Sequence, residues 1–236
     1  RRAQERGLKL NEYGLFRGER SIAGRTEEEV YAALGLPYIP PELREDAGEV
    51  EAALAGTLPD LIGYDDLRGD LQTQTSWTDG SHTIEEMAAE AKRLGLEYIA
   101  ITDHTKGLAM THGSDEKKLR KQMAAIDALN AKKPGIRILK GAEVNINKDG
   151  TLDIDAETLA LLDVVGVAIH SHFNLPREEM TRRVIRAMEN PHADILFHPT
   201  ARLINKREAC DLDIDEVIRV AKRTGTILEI DAYPDR

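Results

Sequence analysis

The stretch DLQTQTSWTDGSHTIEEMAAEAKRLGLEYIAITDH, Asp70 to His104, contains one complete strand–turn–helix–strand unit. Asp70 to Thr75 alternates, so Gln72 and Gln74 share a face. A polar turn, Trp77 to Gly80, follows, and then Thr83 is answered by Glu86, the spacing of a capping box. The predicted helix runs from Ile84 to Leu94 and stops at Gly95. Tyr98 to Thr102 is then a continuous apolar run with Asp103 and His104 at its carboxyl end. Continuous apolar strands belong to parallel sheets covered by helices.

The same unit recurs toward the carboxyl end. Apolar runs at Ile136–Ile146, Val164–Ile169, Ile195–Phe197 and Ile227–Ile230 alternate with helical segments at Asp115–Ala131, Ala156–Leu162, Arg177–Glu189 and Ile214–Thr224. Ser114 before two acids, and Asp213 with Glu216, are further start signals, and Gly225 is a stop. Six strands in strict alternation with helices, and no glycine-rich first turn, predict an α/β barrel rather than a dinucleotide-binding sheet. Before Asp70 the texture changes. Residues 1–68 read as irregular apart from a helix at Thr26–Leu34, opened by a capping box of Thr26 and Glu29. PYIPPELRED, Pro37 to Asp46, reads as a linker or wrapping segment because of its three prolines.

Composition narrows the function classes. The net charge of -10 argues against a surface that coats nucleic acid, though a local basic patch could still hold it as substrate. A single cysteine, Cys210, excludes a disulfide framework and a cysteine-rich zinc site, and reads as a half-buried small residue. No apolar run approaches the ~20 residues of a membrane span. Arg1, Arg2, Glu5 and Arg6 are not the start of a signal peptide, so a cytoplasmic location is expected.

Residues with metal-ligand chemistry gather at successive strand ends. They are Asp103 and His104, then Glu143 and Asn145, then His170 and His172, then His198, and finally Glu229 and Asp231. In parallel barrels these ends converge on one face, where sites are built. Histidine and glutamate without cysteine suit zinc, manganese or iron, and such a site activates water for hydrolysis. His172 reads as an outer or exposed residue, His82 and His112 as surface loop residues, and His192 as a turn residue. Lys106, Arg202 and Arg207 lie near the same ends and as a set favour a phosphoester substrate.

The segments DLQTQTSWTDG, YIAITDH, LKGAEVNI, AIHSHFNL, NPHADILFHPTARLI and LEIDAYPDR together resemble the polymerase and histidinol phosphatase (PHP) domain. Their form is similar to the version at the carboxyl end of bacterial and archaeal family X DNA polymerases. LKLNEYGLF and IAGRTEEEVYAALGLPYIPPELRE are similar to the end of the thumb of those polymerases. The resemblance implies a thumb remnant at 1–45, a linker at 46–68 and a distorted seven-stranded PHP barrel at 69–236, incomplete before its last strand. It implies up to two or three divalent ions in the complete domain, manganese or zinc, and hydrolysis of DNA 3′ ends in a polymerase of DNA repair. Position by position, Asp79, His104, Glu143, His170 and His198 match family ligands, with Glu143 bridging two metals. Gln72 and Gln74 stand where the family has paired histidines, and a glutamine carbonyl is a poor replacement for imidazole. Polar packing inside the barrel mouth is therefore the expectation for this pair, together with reduced or lost hydrolysis. Two alternatives stay open: a silent barrel that buttresses the polymerase, and a stand-alone phosphatase of the histidinol phosphate type.

Overall fold

The computed structural model describes residues 2–231. The chain divides into two units, Arg1–Gly63 and Tyr64–Arg236.

The first unit is more regular than its sequence suggests. Helix α1 (Arg2–Glu5) precedes an antiparallel sheet of β1 (Lys9–Asn11), β2 (Gly14–Arg17) and β3 (Arg20–Ala23). These strands are three or four residues long, and Leu15 and Ala23 are their buried apolar side chains. Alternation over so few residues leaves no legible pattern. Gly14 sits at positive φ against the backbone of Ala23, where a Cβ would collide with the Ala23 carbonyl. Helix α2 (Glu27–Ala33) is capped by Thr26, whose side chain accepts the Glu29 N–H. The expected capping box is only half formed, because the Glu29 carboxylate turns to the Arg25 backbone N–H and guanidinium.

The proline-rich segment wraps onto α2. Arg44 bonds Glu27 through two nitrogens, at 2.9 and 2.8 Å, and lies over the rings of Tyr31 and Tyr38. Helix α3 (Glu49–Ala55) then falls inside the stretch expected to be linker, and ends on Gly56 in the left-handed region.

The second unit carries the strand–helix alternation. In chain order it comprises β4 (Gly69–Thr73), α4 (Ile84–Arg93), β5 (Tyr98–Ile101), α5 (Glu116–Ala131), β6 (Arg137–Asn145) and α6 (Ala156–Leu159). It continues with β7 (Val164–Ala168), α7 (Arg177–Met188), β8 (Ile195–Leu196), α8 (Ile214–Thr224) and β9 (Ile227–Leu228). All six strands are parallel and pair in sequential order, β4 to β9. With no reversal of strand order, successive crossovers keep one hand and the sheet curls as a half-barrel.

Local signals account for most boundaries. Both halves of the Thr83–Glu86 capping box are present. The cap of α5 is Asp115, which accepts the Lys118 N–H at 2.7 Å, and not Ser114. Ser114 is instead buried, and its N–H bonds the His104 carbonyl at 2.8 Å. The larger core packs β6, β7 and β8 against α7 and α8 through Val144, Val165, Leu196, Met180 and Val217. Gly166 lies beneath the Phe197 ring, and a Cβ there would overlap the ring carbons. Among the described residues no helix is long and apolar enough to cross a membrane.

Candidate metal centre

Glu143, near the end of β6, is 1% exposed. A carboxylate buried so completely requires partners. His170 Nε2 and His198 Nε2 lie 2.9 and 2.8 Å from its Oε1. Gln72 Nε2 and Gln74 Nε2 donate to its Oε2 at 3.3 and 2.9 Å. His104 Nδ1 stands 3.6 Å from the same oxygen. Burial alone pushes the Glu143 carboxyl up, but the bonds from His170 and His198 and the nearby His104 outweigh it and hold the group well below the usual carboxylate range.

The histidines are held by a second ring of contacts. Asn145 Nδ2 donates to Asp153 Oδ2 and Thr105 Oγ1, both at 2.9 Å, which turns its Oδ1 toward His170 Nδ1 at 2.6 Å. That acceptor places the His170 proton on Nδ1 and leaves Nε2 facing Glu143. A cation shared by Nε2 and Oε1 would satisfy both atoms of that contact. His198 takes its position from Glu229, whose Oε2 accepts the His198 N–H at 2.7 Å. His198 Nδ1 and His104 Nδ1 are buried without a hydrogen-bond partner.

Asp79 extends the chain outward, with Oδ2 3.6 Å from His104 Nε2. Its turn is held from below by buried Asp103, which accepts the Thr75 N–H, the Thr75 and Thr78 hydroxyls and the Gln122 amide. One ligand atom from each of His104, Glu143 and His170 lies within 4.8 Å of the others. Three converging N and O donors, in a group where the buried Nδ1 atoms of His104 and His198 have no hydrogen-bond partner, fit a divalent ion of the zinc or manganese class.

The structure thus brings Asp79, His104, Glu143, His170 and His198 into one connected group. Gln72 and Gln74 join it in an unexpected sense. Gln74 Nε2 also faces the Thr102 carbonyl at 3.5 Å, so both neighbours of that nitrogen are acceptors. The glutamines present amide donors to Glu143, not carbonyl ligands to a metal.

The three cations sit in local arrangements. Lys106 pairs with Glu116 at 2.6 Å. Arg207 is half-buried, donates to the Ala201 carbonyl and stacks 4.0 Å over Phe173. Arg202 is exposed. His82, His112 and His172 are also exposed, while His192 is half-buried. Cys210 is fully buried in the larger core rather than half-buried. Thr105 and Asp153, which orient Asn145, carry no sequence signal, since Asp153 lies in a loop eight positions beyond its partner.

The profile of the DNA polymerase beta thumb matches residues 1–45, and that of the PHP domain matches residues 70–231. DNA polymerase/3′-5′ exonuclease PolX of Bacillus subtilis (strain 168) is 43% identical over 236 residues, covering 99% of this chain and 41% of that protein. A probable phosphatase of Acetivibrio thermocellus is 36% identical over 154 residues, covering 64% of this chain and 59% of that protein. The chain therefore spans less than two thirds of the length of either relative. A crystal structure of histidinol phosphate phosphatase from Lactococcus lactis, complexed with zinc, L-histidinol and phosphate, aligns over 69% of this chain and 72% of that one, with a TM-score of 0.48 at 16% identity. By the match over 70–231, the chain belongs to the PHP domain family.

Proposed function

We propose that residues 69–236 form a metal-dependent phosphoesterase domain that hydrolyses DNA 3′ ends as part of a family X DNA polymerase, a trimming step suited to repair. The observation that carries this reading is Glu143. It is a buried carboxylate with two histidine Nε2 atoms on one oxygen and the unpartnered Nδ1 of His104 near the other. The polymerase setting is supported by the thumb match at 1–45 and the 43% identity to the Bacillus subtilis protein.

In this reading Asp79, His104, Glu143, His170 and His198 hold zinc or manganese. A bound divalent ion supplies a water of lowered pKa and neutralises phosphate charge. The chain's own residues do the rest. Glu143 fixes two rings through one oxygen, Asn145 keeps the His170 proton on Nδ1, and Asp103 anchors the turn that carries Asp79. Exposed Arg202 is the first candidate for a DNA phosphate. Arg207 and Lys106, already engaged locally, come second.

A second reading has an observation of its own. Gln72 and Gln74 saturate Glu143 Oε2 with amide donors, which favours a domain that supports the polymerase and does not cleave. Digestion of a 5′-labelled DNA strand by the full-length protein, with manganese or zinc and with chelator, separates the two. Metal-dependent shortening abolished by Glu143→Gln supports the enzyme. Less than one bound metal per chain and no shortening supports the silent domain. Turnover of histidinol phosphate without action on DNA would point to a small-molecule phosphatase instead.

A further inference from the structure

Arg183 lies on α7, outside the group of ligands, and is 2% exposed. Among the described residues it forms no ion pair. Its guanidinium is spent on backbone carbonyls: Nε donates to Asn147 at 2.9 Å, Nη1 to Ser171 at 2.8 Å, and Nη2 to Ile146. Nη2 also reaches the Ser171 hydroxyl at 3.5 Å.

These acceptors lie on two different loops. Ile146 and Asn147 leave β6 directly after Asn145, and Ser171 directly follows His170. The pair between the loops is the short contact of Asn145 Oδ1 with His170 Nδ1, at 2.6 Å. Immediately after Ser171 the chain turns through His172 at φ 54°, a left-handed conformation that non-glycine residues seldom adopt. The bond from Arg183 holds the carbonyl at the start of that turn. A buried charge without a counter-ion is costly, whereas a planar fork of five N–H donors meets three fixed carbonyls in a way no ammonium can.

We propose that Arg183 is a positioning residue that ties the exits of β6 and β7 together and so fixes the orientation in which His170 presents Nε2 beside Glu143. The link to metal binding rests on the reading of His170 as a ligand. The orientation itself does not.

The test uses Arg183→Lys and Arg183→Met in the full-length protein, both measured well below their unfolding midpoints. Zinc affinity is determined by competition with a chromophoric chelator, and the His170 Nδ1–H is followed by nitrogen–proton NMR in the metal-free protein. Zinc affinity is expected to fall about tenfold or more, as when other outer contacts of metal-bound histidines are removed. The Nδ1–H signal is expected to shift and exchange faster. Arg183→Lys, which keeps the charge and the stem, is expected to restore stability more than affinity, and it carries the test if Arg183→Met does not fold. Variants that lose stability yet bind zinc with unchanged affinity and keep the His170 signal would overturn the proposal. His170→Ala serves as the control. If it leaves zinc affinity intact the ligand reading fails, and the Nδ1–H signal alone then decides the role of Arg183.

Discussion

Replacing Gln74 with alanine isolates what the glutamine pair does. Gln74 Nε2 donates to Glu143 Oε2 at 2.9 Å, and the second donor, Gln72, is longer at 3.3 Å. A hydrogen bond to a buried charge contributes about 1.5–3 kcal/mol, so the loss in Gln74→Ala is set at about 2 kcal/mol. For a unit of this size that corresponds to a fall in melting temperature of roughly 4–8 °C without metal. Saturating zinc or manganese should shrink the fall to less than half, because a cation beside Glu143 takes over the neutralisation that the amide supplied. The difference is read by scanning calorimetry of wild type and Gln74→Ala, each with chelator and with a metal titration. The combined change Gln72→His plus Gln74→His supplies ring nitrogens instead, and elemental analysis should then find more metal per chain. An identical fall with and without metal, or no fall in the metal-free protein, would refute the assignment of the amide as a stand-in for positive charge.

Other parts of the fold make separate expectations. Glu143 is held well below the usual carboxylate range, so its ionised form favours the folded state. That contribution is full above the unfolded value of about 4.3 and is lost as pH falls toward the folded one, at up to ~1.4 kcal/mol per pH unit. Glu143→Gln should therefore lack this slope in acid denaturation below pH ~4, and equal slopes would count against the carboxylate's role. Gly166→Ala places a methyl group inside the Phe197 ring contact and should cost about 1–3 kcal/mol in urea unfolding; a neutral result would show that Phe197 can move aside. Burial pushes the Cys210 thiol up, so disulfide reagents should label it slowly in the folded chain and rapidly in urea. Fast labelling of the native protein would contradict its place in the core.

Much of the second unit was legible because each signal is local. Thr83 with Glu86, Gly95 and Gly225 bracket their helices as the sequence suggests, and the apolar runs fall on the observed strands within one or two residues. The strand-end placement of His104, Glu143, His170 and His198 follows from the same alternation. The first unit was harder to read. Its strands are too short for periodicity, and the Pro37–Asp46 segment is held by contacts of Arg44 and Tyr38 with side chains of α2 and by burial of Ile39. Ser114 and Asp115 show a finer limit: both residues suit a helix cap, and only the bond from Lys118 chooses between them. The contacts around the centre join distant positions. Asn145 meets Asp153 and Thr105 across loops, and Arg183 reaches Ile146 and Ser171 from a helix face that reads simply as amphipathic. The glutamines were identifiable as a departure from paired histidines, but the direction of their amides depends on Thr102 and Glu143, which only the folded chain brings to them.

Equilibrium binding of zinc or manganese by the full-length protein, compared with Glu143→Gln, tests the metal centre most directly. The expected result is at least one tightly held ion per chain in wild type and its loss in the variant, with the fold retained by circular dichroism. Binding that is absent in wild type, or unchanged by Glu143→Gln, would contradict a metal centre built on Glu143 and its three histidines.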